Sequence, residues 1–225
     1  TGDTSLSGAV SGAFALTKSG SGKLTLSGTN TYTGPTNITA GTLALSGTGS
    51  ISSSSIIVGA STTFDVSGVT GGYSLASGQT ISGTGLVTGA VTINGTLAPG
   101  NSPGDMSFGD NLTLAGTLNL EVTDDVATMF DRLVGDGANT LALGGLLNLN
   151  NTGYSALLGD TVTVFSNWSS ITGSFSSITG TDLGGGLSWD TSQLGTLGTM
   201  TVVPESSTAL LGGLGALLML RRRRA

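Results

Sequence analysis

Gly22-Lys-Leu-Thr-Leu-Ser-Gly-Thr29 and Gly41-Thr-Leu-Ala-Leu-Ser-Gly-Thr48 agree at six of eight positions when Gly22 is laid on Gly41. In both, leucine alternates with a small or polar residue, the period of a strand with one buried face. The Ser-Gly and Gly-Thr pairs at the ends mark turns where a positive φ is easily taken. The unit recurs in weaker form. Gly95-Thr-Leu-Ala-Pro99 is followed, after a similar interval, by Gly116-Thr-Leu-Asn-Leu120, and Thr63–Ser67, Val91–Asn94, Asn111–Leu114, Thr140–Gly144, Leu147–Asn150 and Thr161–Phe165 alternate in the same way.

Short strands between Gly, Ser, Asn and Asp suit either a β-sandwich or a β-solenoid. The near-constant interval from Gly22 to Gly41 and from Gly95 to Gly116 favours the solenoid, in which one repeat is one coil that buries its apolar face by stacking on its neighbours. At about 20 residues per coil, Leu6 to Val203 predicts roughly nine or ten coils. With about 4.8 Å between stacked strands, that is a rod on the order of 45 Å long. Leucine stacks on leucine inside, and Ser, Thr and Asn form ladders outside. The pattern lapses from Asp124 to Gly137, where a loop or short helix is expected to project. Residues 165–202, which hold Trp168 and Trp189, are expected to cap the 1–164 body.

Composition supports this class. The 225 residues include 39 glycines, 37% are hydrophobic and only 9% are charged, which argues against both a helical and a disordered chain. Up to Val203 there are twelve acidic residues against Lys18, Lys23 and Arg132, a balance of −9 that disfavours nucleic acid and other polyanions. Cysteine and histidine are absent, so there is no disulfide, thiolate, histidine base or Cys/His zinc site. No cofactor is expected: Gly83-Thr-Gly85 lacks a following helix and acidic partner, Gly212-Gly-Leu-Gly215 makes no nucleotide loop, and no Gly-Lys-Ser/Thr occurs.

The repeat also carries a resemblance. Leu16 to Leu43, with its Gly-Lys-Leu-Thr-Leu-Ser-Gly-Thr core, resembles the autotransporter-associated β-strand repeat, and Leu97-Ala-Pro-Gly-Asn-Ser-Pro-Gly104 is similar to the turns that follow such repeats. The resemblance implies a right-handed parallel β-helix on a secreted passenger protein, without catalytic activity. The chain departs from an autotransporter at its C-terminus, where an arginine-ended apolar segment stands in place of a β-barrel translocator.

That segment is the second informative stretch. Ala209 to Leu220 holds twelve residues without a charge, and Arg221, Arg222, Arg223 and Arg224 follow at once. A membrane-spanning helix needs about 20 apolar residues, but Ser206, Ser207 and Thr208 can enter the interface and arginines snorkel to the headgroups. The arginines are retained on the cytoplasmic side, which leaves residues 1–203 outside the inner membrane. Val203-Pro204-Glu205-Ser206, the apolar helix and the arginines together resemble the PEP-CTERM sorting signal of Gram-negative bacteria, spanning 203–225; the family usually has proline at the position of Ser206. The resemblance implies an exosortase-type processing enzyme as partner, transient anchoring in the inner membrane and release near Pro204-Glu205 to the cell surface. Thr1-Gly-Asp-Thr4 has no charged-then-apolar leader, so a signal peptide and further repeats are expected upstream.

Other candidates have weaker support. Asp124, Asp125, Asp131 and Asp136 offer carboxylates for calcium or glycoside chemistry, with Arg132 as the nearby base of a polysaccharide-cleaving alternative. The stretch lacks the EF-hand spacing and is expected to be a solvated loop. Trp168, Trp189, Tyr32 and Tyr73 can stack on sugars but are expected to be cap or turn aromatics. Asn94, Asn111 and Asn167 head Asn-x-Ser/Thr triplets. The resulting expectation is an exported, non-catalytic, adhesive or structural surface protein with extracellular polysaccharide or other cell-surface components as partner. A polysaccharide-binding or -cleaving enzyme and the stalk of a larger protein are the alternatives.

Overall fold

A computed structural model describes residues 2–100, 104–123 and 130–205, and among them the chain is all-β, with no helix. Three parallel sheets account for most of it. The first stacks Thr4–Leu6, Lys23–Leu26, Thr42–Gly47, Thr63–Val69, Leu86–Thr88, Asp105–Phe108, Arg132–Val134 and Phe165–Ser166. The second stacks Leu16–Lys18, Thr36–Ile38, Ser55–Val58, Thr80–Gly83, Thr96–Pro99, Thr117–Thr123, Leu146–Thr152 and Ser177–Thr179. The third stacks Tyr73–Leu75, Val91–Ile93, Leu112–Leu114, Thr140–Leu143 and Ser170–Gly173, with the pair Thr29–Asn30 and Ser50–Ile51 holding the same place in the chain cycle of earlier turns. The chain visits first, third and second sheets in rotation, a topology consistent with a β-solenoid.

Register follows the apolar columns. Leu24 lies on Leu43, Leu43 on Phe64, Phe64 on Val87 and Val87 on Phe108. In the second sheet one column runs Leu16, Thr36, Ile56, Ile81, Leu97, Leu118, Leu147, Ile178 without a break. A one-residue slip would turn every one of these side chains to solvent, so alternation fixes the pairing. The polar member, Thr36, is fully buried and its hydroxyl is hydrogen-bonded to the Tyr32 hydroxyl at 2.7 Å.

The glycine that opens each Gly-x-Leu unit has a packing reason. A Cβ on Gly22 would meet the Gly2 carbonyl at 2.7 Å, and one on Gly41 would meet those of Gly20 and Gly22 at 2.6 Å. The turns stack too closely there for any side chain.

The sequence predicted nine or ten coils, whereas the first and second sheets each hold eight described strands. The repeat lengthens: Leu24 to Leu43 makes one short turn, but the turns from Leu118 to Leu147 and from Leu147 to Ile178 take half as much chain again. The lapse expected over Asp124–Gly137 is also shorter. Arg132–Val134 rejoins the first sheet because Leu133 fits the apolar column between Met106 and Phe165. Within 165–202, Phe165–Ser166, Ser170–Gly173 and Ser177–Thr179 still add to the three parallel sheets. An antiparallel sheet ordered Thr161–Thr163, Thr199–Pro204, Leu187–Asp190, Asp182–Gly184 then closes this end, burying Trp189, Met200 and Val202.

Candidate functional site: an outward polar depression and the terminal strand

In the second sheet, residues between the buried leucines point outward. Leu118 and Leu120 are buried and pair with Leu147 and Leu149, so Asn119 and Glu121 lie beside Asn148 and Asn150 on the solvent face. Asn148 Nδ2 donates to Asn119 Oδ1 at 3.0 Å, and Thr179 Oγ1 donates to Asn148 Oδ1 at 2.6 Å, continuing the ladder across three turns. Ala98 pairs with Ser82 and carries only a methyl group, which leaves a depression of about 400 Å³ whose polar lining is Ser82, Asn119, Glu121, Asp131, Asn148 and Asn150. Amides, a hydroxyl and the two carboxylates of Glu121 and Asp131, without aromatic walls, disfavour an anion and suit a hydroxyl-rich ligand. Asn ladders on the outer face were expected from the sequence, but not which asparagines meet, because Asn148 follows Asn119 only after one of the lengthened turns.

The two described members of the acidic stretch, Asp131 and Asp136, have separate partners. Asp131, expected in a solvated loop, is buried at 2% exposure. Its Oδ1 accepts the Gly104 amide at 2.9 Å and its Oδ2 the Glu121 amide at 2.8 Å, so it ties two turns together. Burial raises its pKa to about 6; the carboxylates of Glu121 and Asp105 push the same way, and the two amide bonds oppose them. Arg132 instead faces its strand partner Asp105 with Nε and Nη2 on the two carboxylate oxygens, and lies 5.9 Å from the centre of the Phe130 ring. These bonds raise its pKa. Asp136 Oδ1 accepts the Ala138 amide within a turn. Asp124 and Asp125 lie outside the described residues. Among the described residues no group of three or more acidic, His or Cys side chains is placed to hold a metal ion.

The body's cations are all engaged. Lys18 is buried, donating to the carbonyls of Gly20 and Ala40 at 2.8 and 2.9 Å. Lys23 Nζ lies 2.7 Å from Asp65 Oδ2. Burial alone would raise the Asp65 pKa, but the bonds from Lys23 and Ser67 outweigh it and hold the pKa at about 2. With Arg132 on Asp105, each of these three cations is held by a partner within the body.

Tyr32, Tyr73 and Trp189 are buried and cannot serve as open stacking platforms. Tyr32 stacks on Phe14 and Tyr73 meets Phe64 edge-on. Trp189 stacks on Tyr154 and donates to Asn151 Oδ1 at 3.0 Å. Trp168 is half-buried and donates to the Leu133 carbonyl at 3.2 Å. The three Asn-x-Ser/Thr asparagines bridge neighbouring turns: Asn94 bonds Ser74, Asn111 bonds the Thr140 amide, and Asn167, at φ 59°, bonds the Gly135 carbonyl.

Of the terminal motif, Val203 and Pro204 end the strand Thr199–Pro204, opposite Ser188 and Leu187. Pro204 is exposed, and the Glu205 amide donates to the Gly186 carbonyl at 2.8 Å. Ser206, the 209–220 segment and Arg221–Arg224 lie outside the described residues. No helix among the described residues is long and apolar enough to cross a membrane.

Over Leu16–Leu45 the strands stack turn on turn, with close contacts at the repeat's glycines. Residues 16–45 match the family model of the passenger-associated transport repeat. The match supports an autotransporter-associated β-strand repeat in this chain and suggests a secreted or surface protein. A search of curated proteins finds no match. The matched segment covers Leu16–Lys18, Lys23–Leu26 and Thr36–Ile38 and ends inside Thr42–Gly47, so Leu24 on Leu43 is the repeat stacked on itself.

Proposed function

We propose that this chain is an exported, non-catalytic protein of the cell surface or extracellular matrix, built as a right-handed parallel β-helix and addressed by a removable C-terminal sorting signal. The observation that carries the reading is the passenger-associated repeat at 16–45, seated in parallel sheets that continue to Thr179. The right-handed sense follows from the preference of parallel strand crossovers in twisted sheets. Such a body presents long ladders of Ser, Thr and Asn, and the depression over Ala98 is its contact for a hydroxyl-rich extracellular polysaccharide. Residues 209–220 act as a short transmembrane helix with Arg221–Arg224 left inside, and an exosortase-type enzyme cuts near Pro204-Glu205.

Mass spectrometry of the mature C-terminus from fractionated cells tests the address. The extracellular protein is expected to end near Glu205; an extracellular protein still ending in Arg221–Ala225 refutes the sorting signal.

A further inference from the structure

We infer that the turn carrying Leu157 and Leu158 dips into the outer surface of the lipid bilayer, so that the body stands on the membrane by its closing sheet while the tail is inserted. The inference rests on the reading of 209–224 as a membrane segment.

Leu157 and Leu158 are 65% and 64% exposed, adjacent in sequence, and among the most exposed large apolar side chains of the described residues. Nothing in their own turn needs them to be apolar, because hydrogen bonds hold it. The Asp160 amide donates to the Leu157 carbonyl at 3.0 Å, and Asp160 Oδ2 accepts the Leu157 amide at 2.8 Å and the Tyr154 hydroxyl at 2.9 Å. Tyr154 in turn stacks on Trp189 at 5.3 Å between ring centres. The turn is therefore fixed to the closing sheet with its leucines facing solvent.

Its location selects the partner. The Gly159 amide donates to the Val202 carbonyl at 2.9 Å and the Val202 amide to the Asp160 carbonyl at 2.8 Å. The pairing Thr161 with Thr201 and Thr163 with Thr199 runs away from that point, so Leu158 stands at the end of the strand where the chain leaves through Pro204 and Glu205. The apolar segment starts at Ala209, four residues beyond Glu205. Even fully extended, four residues span at most about 14 Å. If that segment enters a bilayer, the leucine turn lies within reach of the same interface. Two leucines add apolar area to a twelve-residue segment that is short for a bilayer span. Leu197, equally exposed at 64%, is a built-in contrast. It lies in the turn before Thr199, at the other end of the strand Thr199–Pro204, which spans roughly 17 Å at ~3.3 Å per residue.

The absence of cysteine allows single-site labelling. The full chain carrying Leu158→Cys or Leu197→Cys, each with an environment-sensitive fluorophore, is mixed with vesicles of phosphatidylethanolamine and a minor share of phosphatidylglycerol. Sedimentation with the vesicles is measured alongside emission and quenching by a lipid-embedded quencher. The expected result is co-sedimentation, a blue shift and lipid quenching for Leu158→Cys, and neither optical change for Leu197→Cys. In the unlabelled chain, Leu157→Ser with Leu158→Ser should lower vesicle partitioning roughly 10- to 100-fold, from the transfer of two largely exposed leucines. Co-sedimentation with the Leu158→Cys label still aqueous overturns the inference and leaves the tail reading standing. No co-sedimentation overturns both. A Leu158→Cys label already shielded without vesicles overturns it in favour of the apolar tail folding onto the turn.

Discussion

Gly41 precedes the strand Thr42–Gly47 and Gly47 ends it, with nearly the same backbone angle, φ +66° and +63°, but in different surroundings. A Cβ on Gly41 would lie 2.6 Å from the carbonyl oxygens of Gly20 and Gly22 and 2.7 Å from that of Ser21, whereas one on Gly47 would meet nothing within 4 Å. Alanine at either position incurs the left-handed conformational cost, about 1–2 kcal/mol. Only Gly41→Ala must also push the turn carrying Gly20–Gly22 outward by some tenths of an ångström. That strains the Thr42 amide bond to Gly22, already 3.4 Å long, and shifts the Gly41 carbonyl that accepts the Thr63 amide. Such overpacking costs about 1–3 kcal/mol. The expected losses are therefore about 2–5 kcal/mol for Gly41→Ala and about 1–2 kcal/mol for Gly47→Ala. Urea unfolding of the full chain, followed by far-ultraviolet circular dichroism with the slope compared between variants, measures both. Equal losses would refute close turn-on-turn stacking as the reason for the glycine at the head of the repeat.

Two further outcomes follow from the same structure. Ile56 is fully buried in the second-sheet column and its neighbour Ile57 is 41% exposed, so Ile56→Ala should cost about 2–5 kcal/mol and Ile57→Ala under about 1 kcal/mol by the same assay; similar losses would contradict the assigned faces. Asp131 has its pKa raised to about 6 in the fold, above the ordinary carboxylate value, so the folded chain binds the extra proton between about pH 4 and 6. Its contribution is fully present below pH 4 and is lost as pH rises through 6, on the order of 2 kcal/mol, a step that urea midpoints across this range should show and that Asp131→Asn should remove.

Legibility followed distance along the chain. The strands of Leu16–Leu45 could be read because their alternation and glycines act within a few residues, and because the repeat there has no insertion. Beyond Thr117–Thr123 the next strand of that sheet comes only at Leu146–Thr152, and the coil count drawn from the shorter period of the first turns came out too high. Asp131 looked like a solvated carboxylate, since nothing nearby in sequence reveals that the amides of Gly104 and Glu121 converge on it. The depression over Ala98 was hidden for a similar reason. It exists only when Ser82, Asn119 and Asn148 are brought onto one face by three different turns.

By itself the sequence determined the strand period, the glycine-headed repeat, the scarcity of cations before Val203 and the charge-free run at 209–220, all properties of composition or of neighbours in the chain. The tertiary structure decided which turn lies on which, where the longer repeats rejoin the sheets, what Asp131 holds together, and that Leu157 and Leu158 stand where the chain leaves the closing sheet. Those depend on register between residues far apart in the chain, such as Leu118 on Leu147 and Thr161 on Thr201, and register is set by how whole apolar columns align.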